Sequence, residues 1–254
     1  MKRALVISDL HCGHRAGLTP PDYQQDFDDK YQAQQATMWN WYSKMVADLQ
    51  PIDVLIVNGD AIDGKGDKSG ATELISADRK VQCDMATRCI EEVKATKIYM
   101  TYGTAYHTGT DEDWESIVAE QVEAKEIHSH LWLNIEGVVF DCKHKVSGSI
   151  IPHGRHTGPA RDKLWNLLWA EKDLQPKADV LIRSHVHYFT QSADSFSEIF
   201  TTPALQGPGS KFGARIMSGI IDIGALSFDC ENSNYTVTRL LMDQDFMAEE
   251  AIAV

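Results

Sequence analysis

The sequence has few cysteines, no long apolar run and a deficit of positive charge. Its five cysteines are an odd number without a C-x-x-C pair, a usage typical of a reducing compartment, which argues against a disulfide scaffold. No apolar run approaches the ~18 residues of a membrane-spanning helix, and the first one stops at Asp9, too early for a signal peptide. We therefore expect a cytoplasmic protein with no membrane partner.

Acidic side chains outnumber basic ones by 37 to 24, which gives a net charge of −13 with neutral histidine. Such a surface repels phosphate backbones unless bound cations reverse the local field, so general coating of nucleic acid is not expected. A hydrophobic content of 43% is sufficient for an ordinary core, and there is no repeat, low-complexity tract or linker. We expect residues 1–254 to form one domain.

Short apolar runs that end in polar clusters alternate with long segments of helix-forming residues. The runs are residues 4–8, 53–57, 97–102 and 179–183, and the segments are residues 26–49, 73–95 and 159–174. This order predicts parallel strands with right-handed crossovers, and Trp165 and Trp169 on the last helix are expected in the core. The second half is richer in strands: residues 137–146 alternate partly, and antiparallel strands are expected at residues 198–202, 219–228 and 235–242. The predicted fold class is two packed mixed β-sheets flanked by helices, an α/β sandwich.

Aspartate and histidine residues follow the predicted strands directly. The four clusters are Asp9-Leu10-His11, Asp60-Ala61-Ile62-Asp63, Thr104 to His107, and His185-Val186-His187. Residues two apart in an extended chain point the same way, so Asp9 with His11, and His185 with His187, suit a metal ion on one side. Mixed carboxylate and imidazole ligands favour a transition metal over Ca²⁺ or Mg²⁺. The sequence thus predicts a transition-metal site at the carboxyl ends of the strands.

The order of these motifs resembles the calcineurin-like metallophosphoesterase superfamily, whose pattern is D-x-H, G-D-x-x-D, G-N-H-[DE], a lone His and G-H-x-H. The first, second and last motifs correspond to residues 9–11, 59–63 and 184–187, with Ser184 in place of the usual glycine. The third departs, because residues 103–107 read G-T-A-Y-H. This G-T-x-x-H form is similar to phage-like and prokaryotic members, for which the compartment would be the cytoplasm or a host cytoplasm.

The resemblance implies a dinuclear-metal phosphoesterase that cleaves a phosphodiester by in-line attack of a metal-bound hydroxide. It implies two divalent ions, most often Mn²⁺, with Fe, Zn, Co or Ni as alternatives. The implied ligands are Asp9, His11 and His187 for one ion, and His144 and His185 for the other, with Asp60 bridging both. The implied catalytic residues are His107, as the imidazole near the leaving group, and Asp60.

Several assignments stay open. His144 or His153 is the lone middle histidine, and we favour His144 because the end of a strand fixes an imidazole better than a loop does. Residues then expected to contact the substrate phosphate are Thr104, His153, Arg155 and His156. His107 has metal ligation as its alternative role.

The expected substrate is a phosphate ester, with nucleic-acid ends or nucleotides as the leading class. Two alternatives are a phosphomonoesterase, including a protein phosphatase, and a metal-binding scaffold that has lost its chemistry. The second alternative arises from Thr104, which stands where the family has an asparagine ligand. Homo-oligomerisation is left open.

Overall fold

Two β-sheets pack face to face, and helices cover their outer surfaces. The computed structural model describes residues 1–24, 29–66, 70–109, 112–208, 219–245 and 251. The strands are β1 Lys2–Ile7, β2 Val54–Asn58, β3 Lys97–Thr101, β4 Glu126–His128, β5 Leu131–Ile135, β6 Val138–Lys145, β7 Val180–Ser184, β8 Thr190–Ala193, β9 Glu198–Thr201, β10 Gly224–Glu231 and β11 Asn234–Leu241. The α-helices are α1 Asp29–Asp48, α2 Arg79–Glu92, α3 Ala105–Thr108, α4 Trp114–Gln121 and α5 Thr157–Ala170. Within the described ranges, none of the helices combines the length and hydropathy that a bilayer crossing requires.

Both sheets mix parallel and antiparallel pairs. The first has the order β11-β10-β1-β2-β3-β4, in which β1 to β4 are parallel and β10 runs antiparallel to β1. The second has the order β5-β6-β7-β9-β8, in which β7 is parallel to both β6 and β9. The predicted fold class is therefore confirmed, and the loops that follow β1, β2, β3 and β7 leave the sheets at carboxyl ends of parallel strands.

Strand β1 shows why the central strands are apolar along their whole length. Ala4 and Val6 pack into the core between the two sheets, whereas Leu5 and Ile7 pack into the core between the first sheet and its helices. All four are fully buried. A strand that is buried on both faces needs a continuous apolar run instead of alternation, which is the pattern in the sequence.

Several predicted boundaries differ from the structure. Helix α2 begins at Arg79, six residues later than expected, because Asp78 caps it by accepting a hydrogen bond from the Lys80 amide. Glu73, which was expected inside this helix, lies in a buried loop with its carboxylate 3.2 Å from His14 Nε2. Residues 26–28 of the first predicted helix lie outside the described residues. The structure also contains α3, α4, β4, β5 and β8, which the sequence pattern did not predict.

Two predictions about strands in the second half of the chain need correction. The strand β9 is antiparallel only to β8 and is parallel to β7, because the chain returns to the second sheet beside β7. The strand β10 begins at Gly224 instead of residue 219. Neither change alters the fold class, because both strands belong to one of the two mixed sheets.

The prediction that the tryptophans of α5 lie in the core is wrong. Trp165 and Trp169 are 54% and 41% exposed. The helix instead turns polar residues toward the second sheet, where Asn166 donates to Asp141 and accepts from the Ala178 amide. Hydrogen bonds of these buried polar groups, and not the apolar pattern, fix the rotation of this helix.

Candidate metal centre

The loops that follow β1 and β2 are bound to each other residue by residue. The amides of Asp9, His11 and Cys12 donate to the carbonyls of Gly59, Asp60 and Ala61, each at 3.0 Å. These bonds continue the pairing of the two parallel strands beyond the sheet. The backbone therefore holds the D-x-H and G-D-x-x-D motifs side by side.

The backbone at the motif residues is unusual. Five of the twelve non-glycine residues with positive φ angles in the described ranges are motif residues, namely Asp9 (51°), His11 (46°), Asp60 (52°), His185 (75°) and His187 (54°). Side-chain-bearing residues adopt this left-handed region at a cost, and such residues concentrate at functional sites. All five are among the six ligands that the resemblance implies.

A first cluster forms around the carboxylate of Asp9, which is fully buried. Its Oδ1 lies 3.2 Å from His187 Nε2 and 3.9 Å from His11 Nε2. The two imidazole Nε2 atoms are 3.3 Å apart. These three ligand atoms lie within 4.8 Å of one another and could hold one metal ion.

A second cluster forms around Asp60. Its Oδ2 lies 2.9 Å from His144 Nε2 and 3.9 Å from His185 Nδ1, and these ligand atoms also lie within 4.8 Å of one another. Asp60 belongs to a third such group with His11 and His107, whose Nε2 is 4.0 Å from Asp60 Oδ2. Asp60 therefore faces imidazoles on two sides, as a carboxylate shared by two cations would.

Unsatisfied polar atoms indicate that the cluster fits cations. Within the described residues, Asp9 Oδ1 and His144 Nε2 are two of six buried side-chain polar atoms without a hydrogen bond, although they lie 3.2 Å from His187 Nε2 and 2.9 Å from Asp60 Oδ2. Because a buried polar atom without a partner is costly, such atoms call for a missing ligand. Both are ligand atoms of the clusters, and they lie 3.9 Å apart.

Hydrogen bonds at Nδ1 set the tautomers of three imidazoles. His11 donates from Nδ1 to Asp63 Oδ1 at 3.1 Å, His144 to the Asn58 carbonyl at 2.7 Å, and His107 to the Asp63 carbonyl at 2.7 Å. Carboxylates and carbonyls only accept, so each Nδ1 carries a proton and each Nε2 is the nitrogen left to face a cation. Metal-binding histidines are oriented in this way by their second partner.

Charges within the cluster shift the pKa values of its members. Burial alone would raise the pKa of Asp60, but the adjacent His144 holds it well below its ordinary value. Burial lowers the pKa of His144, but the carboxylates of Asp60 and Asp9 outweigh burial and raise it to about 10. Burial lowers the pKa of His11 to about 4, helped by the neighbouring His107. The site thus combines ionised carboxylates with imidazoles, the ligand set of a transition metal.

The structure also explains Ser184, which stands where the family pattern has glycine. Its hydroxyl accepts from Asn58 Nδ2 at 2.6 Å and from Thr202 Oγ1 at 2.7 Å. Asn58 is the residue whose carbonyl orients His144. Next to it, a Cβ at Gly59 would lie 2.5 Å from His144 Nδ1, so this position admits only glycine. A chain of hydrogen bonds from Thr202 through Ser184 and Asn58 therefore fixes the orientation of the His144 ring.

Thr104 contacts the Asp60 carboxylate directly, and Glu115 binds the backbone of the loops on either side of that contact. Thr104 donates to Asp60 Oδ1 from its amide at 2.7 Å and from its hydroxyl at 3.2 Å. Glu115, which sequence reasoning missed, is fully buried and accepts from the amides of Ala61 at 2.8 Å and Gly103 at 2.6 Å. Burial and the nearby Asp60 raise the pKa of Glu115 to about 7. Its sequence neighbourhood, a run of acidic residues at a helix start, gave no signal of this role.

The other residues that were predicted to contact substrate lie outside the ligand clusters. They occupy a 3-10 turn at Pro152–His156. Arg155 stacks at 4.2 Å over the ring of Tyr188, the neighbour of His187, and donates to the Ile220 carbonyl. His156 pairs with Ser192 Oγ at 2.9 Å, and His153 is exposed. The structure thus gathers His144, and not His153, into the cluster.

Fold and site together define an α/β protein with overlapping His/Asp groups that suit divalent cations. Solved structures of similar fold include an archaeal phosphodiesterase, 16% identical over 94% of this chain and 99% of its own, with a TM-score of 0.48. They also include Vps29 from Entamoeba histolytica in complex with Zn²⁺ (12%, 94% and 98%, TM-score 0.45) and a predicted phosphoesterase from Streptococcus pneumoniae (11%, 94% and 89%, TM-score 0.43). No family model and no curated protein matches the chain. Because identities and TM-scores are this low, function rests on the geometry of the site.

Proposed function

We propose that the protein is a metal-dependent phosphoesterase that hydrolyses phosphodiesters with two divalent transition-metal ions. The observation that supports this most is the place of Asp60 in two ligand groups, one with His144 and His185 and one with His11 and His107. A carboxylate in that position serves two cations at once. In the proposal, Asp9, His11 and His187 hold one ion, His144 and His185 hold the other, and Asp60 contacts both.

When bound, two such cations acidify water, orient a phosphoryl group and neutralise charge on its oxygens. Mixed nitrogen and oxygen ligands suit transition metals such as Mn, Fe, Zn, Co and Ni, and the family resemblance favours Mn²⁺ among them. His107 is the proposed catalytic imidazole, because its Nδ1 is fixed by the Asp63 carbonyl while Nε2 faces the cluster. From there it would protonate the departing oxygen or stabilise its charge.

The charge of the chain narrows the proposed substrate. A net charge of −13 disfavours long contacts with a polyanionic backbone. A small phosphate ester, such as a nucleotide, or the phosphodiester at a single-stranded nucleic-acid end needs few contacts beyond the cations. In the proposal, Thr104 and the turn with His153, Arg155 and His156 contact the phosphate at the rim.

The test compares hydrolysis of bis-p-nitrophenyl phosphate and p-nitrophenyl phosphate in Mn²⁺, together with metal content by elemental analysis. We expect two ions per chain and faster cleavage of the diester. His144→Ala should lose metal and turnover, whereas the control His128→Ala should lose neither, because His128 is exposed on β4 and pairs only with Glu126 among the described residues. Faster cleavage of the monoester would replace the diester preference with a phosphomonoesterase.

A metal-binding scaffold is the second candidate. It is favoured by Thr104, whose amide and hydroxyl both donate to Asp60 where the resembling family has an asparagine ligand. The second ion would then lack one oxygen ligand. One bound ion per chain, with no turnover of either ester under any divalent metal, would support this candidate over the enzyme.

A further inference from the structure

We propose that Glu115 is the positioning residue that fixes the carboxylate of Asp60 for its shared role between two cations. The inference rests on the proposed function, since it assumes two ions at the cluster. Glu115 contacts no proposed metal ligand through its side chain. It acts through the backbone of the two loops that flank Asp60.

Each oxygen of the Glu115 carboxylate serves a different loop. Oε1 accepts from the amide of Ala61, directly after Asp60, and Oε2 accepts from the amide of Gly103, directly before Thr104. One buried side chain therefore ties the loop after β2 to the loop after β3. Only an acceptor with two equivalent oxygens satisfies two converging N–H donors in this way.

Thr104 closes the ring of contacts on Asp60 itself. Its amide donates to Asp60 Oδ1, and its hydroxyl lies within hydrogen-bond distance of both carboxylate oxygens. The other neighbours of Oδ2 are His144, His185 and His107. The loops approach so closely that a Cβ at Gly103 would overlap Asp60 Oδ1. If the tie at Glu115 were released, Gly103 and Thr104 would move away and the Asp60 carboxylate would be free to rotate.

The decisive substitution is Glu115→Gln. The amide side chain has the same shape but only one acceptor, so its NH₂ group faces an N–H donor and one loop is released. The matched control is Glu120→Gln on the same helix, because Glu120 is exposed. Outer-shell partners of metal ligands typically contribute about 10- to 100-fold in metal affinity or activity, and we expect a loss of that size for Glu115→Gln.

The measurement is a titration of the metal-free protein with Mn²⁺, followed by calorimetry and by the electron paramagnetic resonance signal of exchange-coupled ions. A residue needed only for folding would change the melting temperature and leave the affinity of the folded protein and this signal unchanged. We expect Glu115→Gln to lose affinity for the second ion and to lose the coupled signal, while its circular dichroism and that of Glu120→Gln match the wild type. Normal binding of both ions by Glu115→Gln would overturn the inference.

If Glu115→Gln does not fold, Thr104→Val decides, because it removes only the hydroxyl that donates to Asp60. Weaker binding of the second ion supports the ring of contacts, and unchanged binding contradicts it.

The proposed function is judged separately. Wild-type protein that binds two coupled ions but hydrolyses neither ester fails as an enzyme, yet leaves the role of Glu115 testable by affinity. Wild-type protein that binds fewer than two ions removes both proposals.

Discussion

The proposed role of His107 as the catalytic imidazole gives the sharpest test of the proposed chemistry. Its side chain is 14% exposed, its Nδ1 donates to the Asp63 carbonyl at 2.7 Å, and its ring lies edge-on to His11 at 4.5 Å. His107→Ala therefore removes one imidazole and leaves Asp9, His11 and His187 in place. An acid–base group of this kind contributes ~10²–10⁴-fold, which is about 3 to 5 kcal/mol of transition-state stabilisation.

The loss of turnover in His107→Ala should depend on the leaving group of the substrate. A p-nitrophenolate departs without protonation, so with bis-p-nitrophenyl phosphate we expect a loss of about ten-fold or less. With an unsubstituted phenyl or an alkyl ester, whose oxygen needs a proton, we expect the full loss. Kinetics across such a series, with metal content of each sample, make the test.

Two results would refute this reasoning about His107. An equal loss for good and poor leaving groups would mean that the imidazole handles no proton at the departing oxygen. Loss of a bound ion in His107→Ala would make His107 a metal ligand, in keeping with its place in the group with His11 and Asp60. The control His128→Ala should match the wild type in both measurements.

Three further substitutions test the rest of the structure. Asp60→Asn should weaken the binding of both ions by more than ~10-fold, a larger effect than that of an outer-shell change. A calorimetric titration in which the affinity for only one ion falls would contradict a shared carboxylate. Phe228→Ala should lower the free energy of unfolding by about 3–5 kcal/mol, because the ring is fully buried at 5.2 and 5.4 Å from two other phenylalanine rings; urea denaturation with a smaller loss would mean that the space between the sheets collapses. Asp141→Asn should cost about 3 kcal/mol, since it takes one of two carboxylates from the buried Arg183; an unchanged urea midpoint would show that Asp162 alone satisfies the guanidinium.

Much of the fold could be predicted from the sequence because its central strands are buried on both faces. Residues 4–7 and 54–57 are apolar at every position, and the structure places them in neighbouring parallel strands. Motifs at the ends of such strands meet at one edge of the sheet. That geometry, together with the spacing of two residues, paired Asp9 with His11 and His185 with His187. The family resemblance then implied the ligand set of Asp9, His11 and His187.

The parts that could not be predicted depend on tertiary contacts that leave no periodic pattern. Glu73 belongs to a segment with good helix formers, but the buried pairing with His14 keeps it in a loop. The polar face of α5 is buried because Asn166 finds partners on the second sheet. Glu115 is recognised only through two backbone amides from distant loops, and amides are present at every residue.

The same contacts explain how the protein holds a site that would be unfavourable on its own. Five residues at the cluster have left-handed backbones, each at a cost of order 1 kcal/mol or more, and Asp9 Oδ1 and His144 Nε2 are buried without a hydrogen bond among the described residues. These costs are offset by the backbone bonds between the loops after β1 and β2 and by the tie at Glu115. A cation that binds only the folded chain adds to that stability, by an amount that grows with the logarithm of its concentration relative to its dissociation constant. The strained and buried residues are therefore the ones that a bound ion would stabilise. A cost in stability at such residues is expected where selection acts on a site instead of on stability.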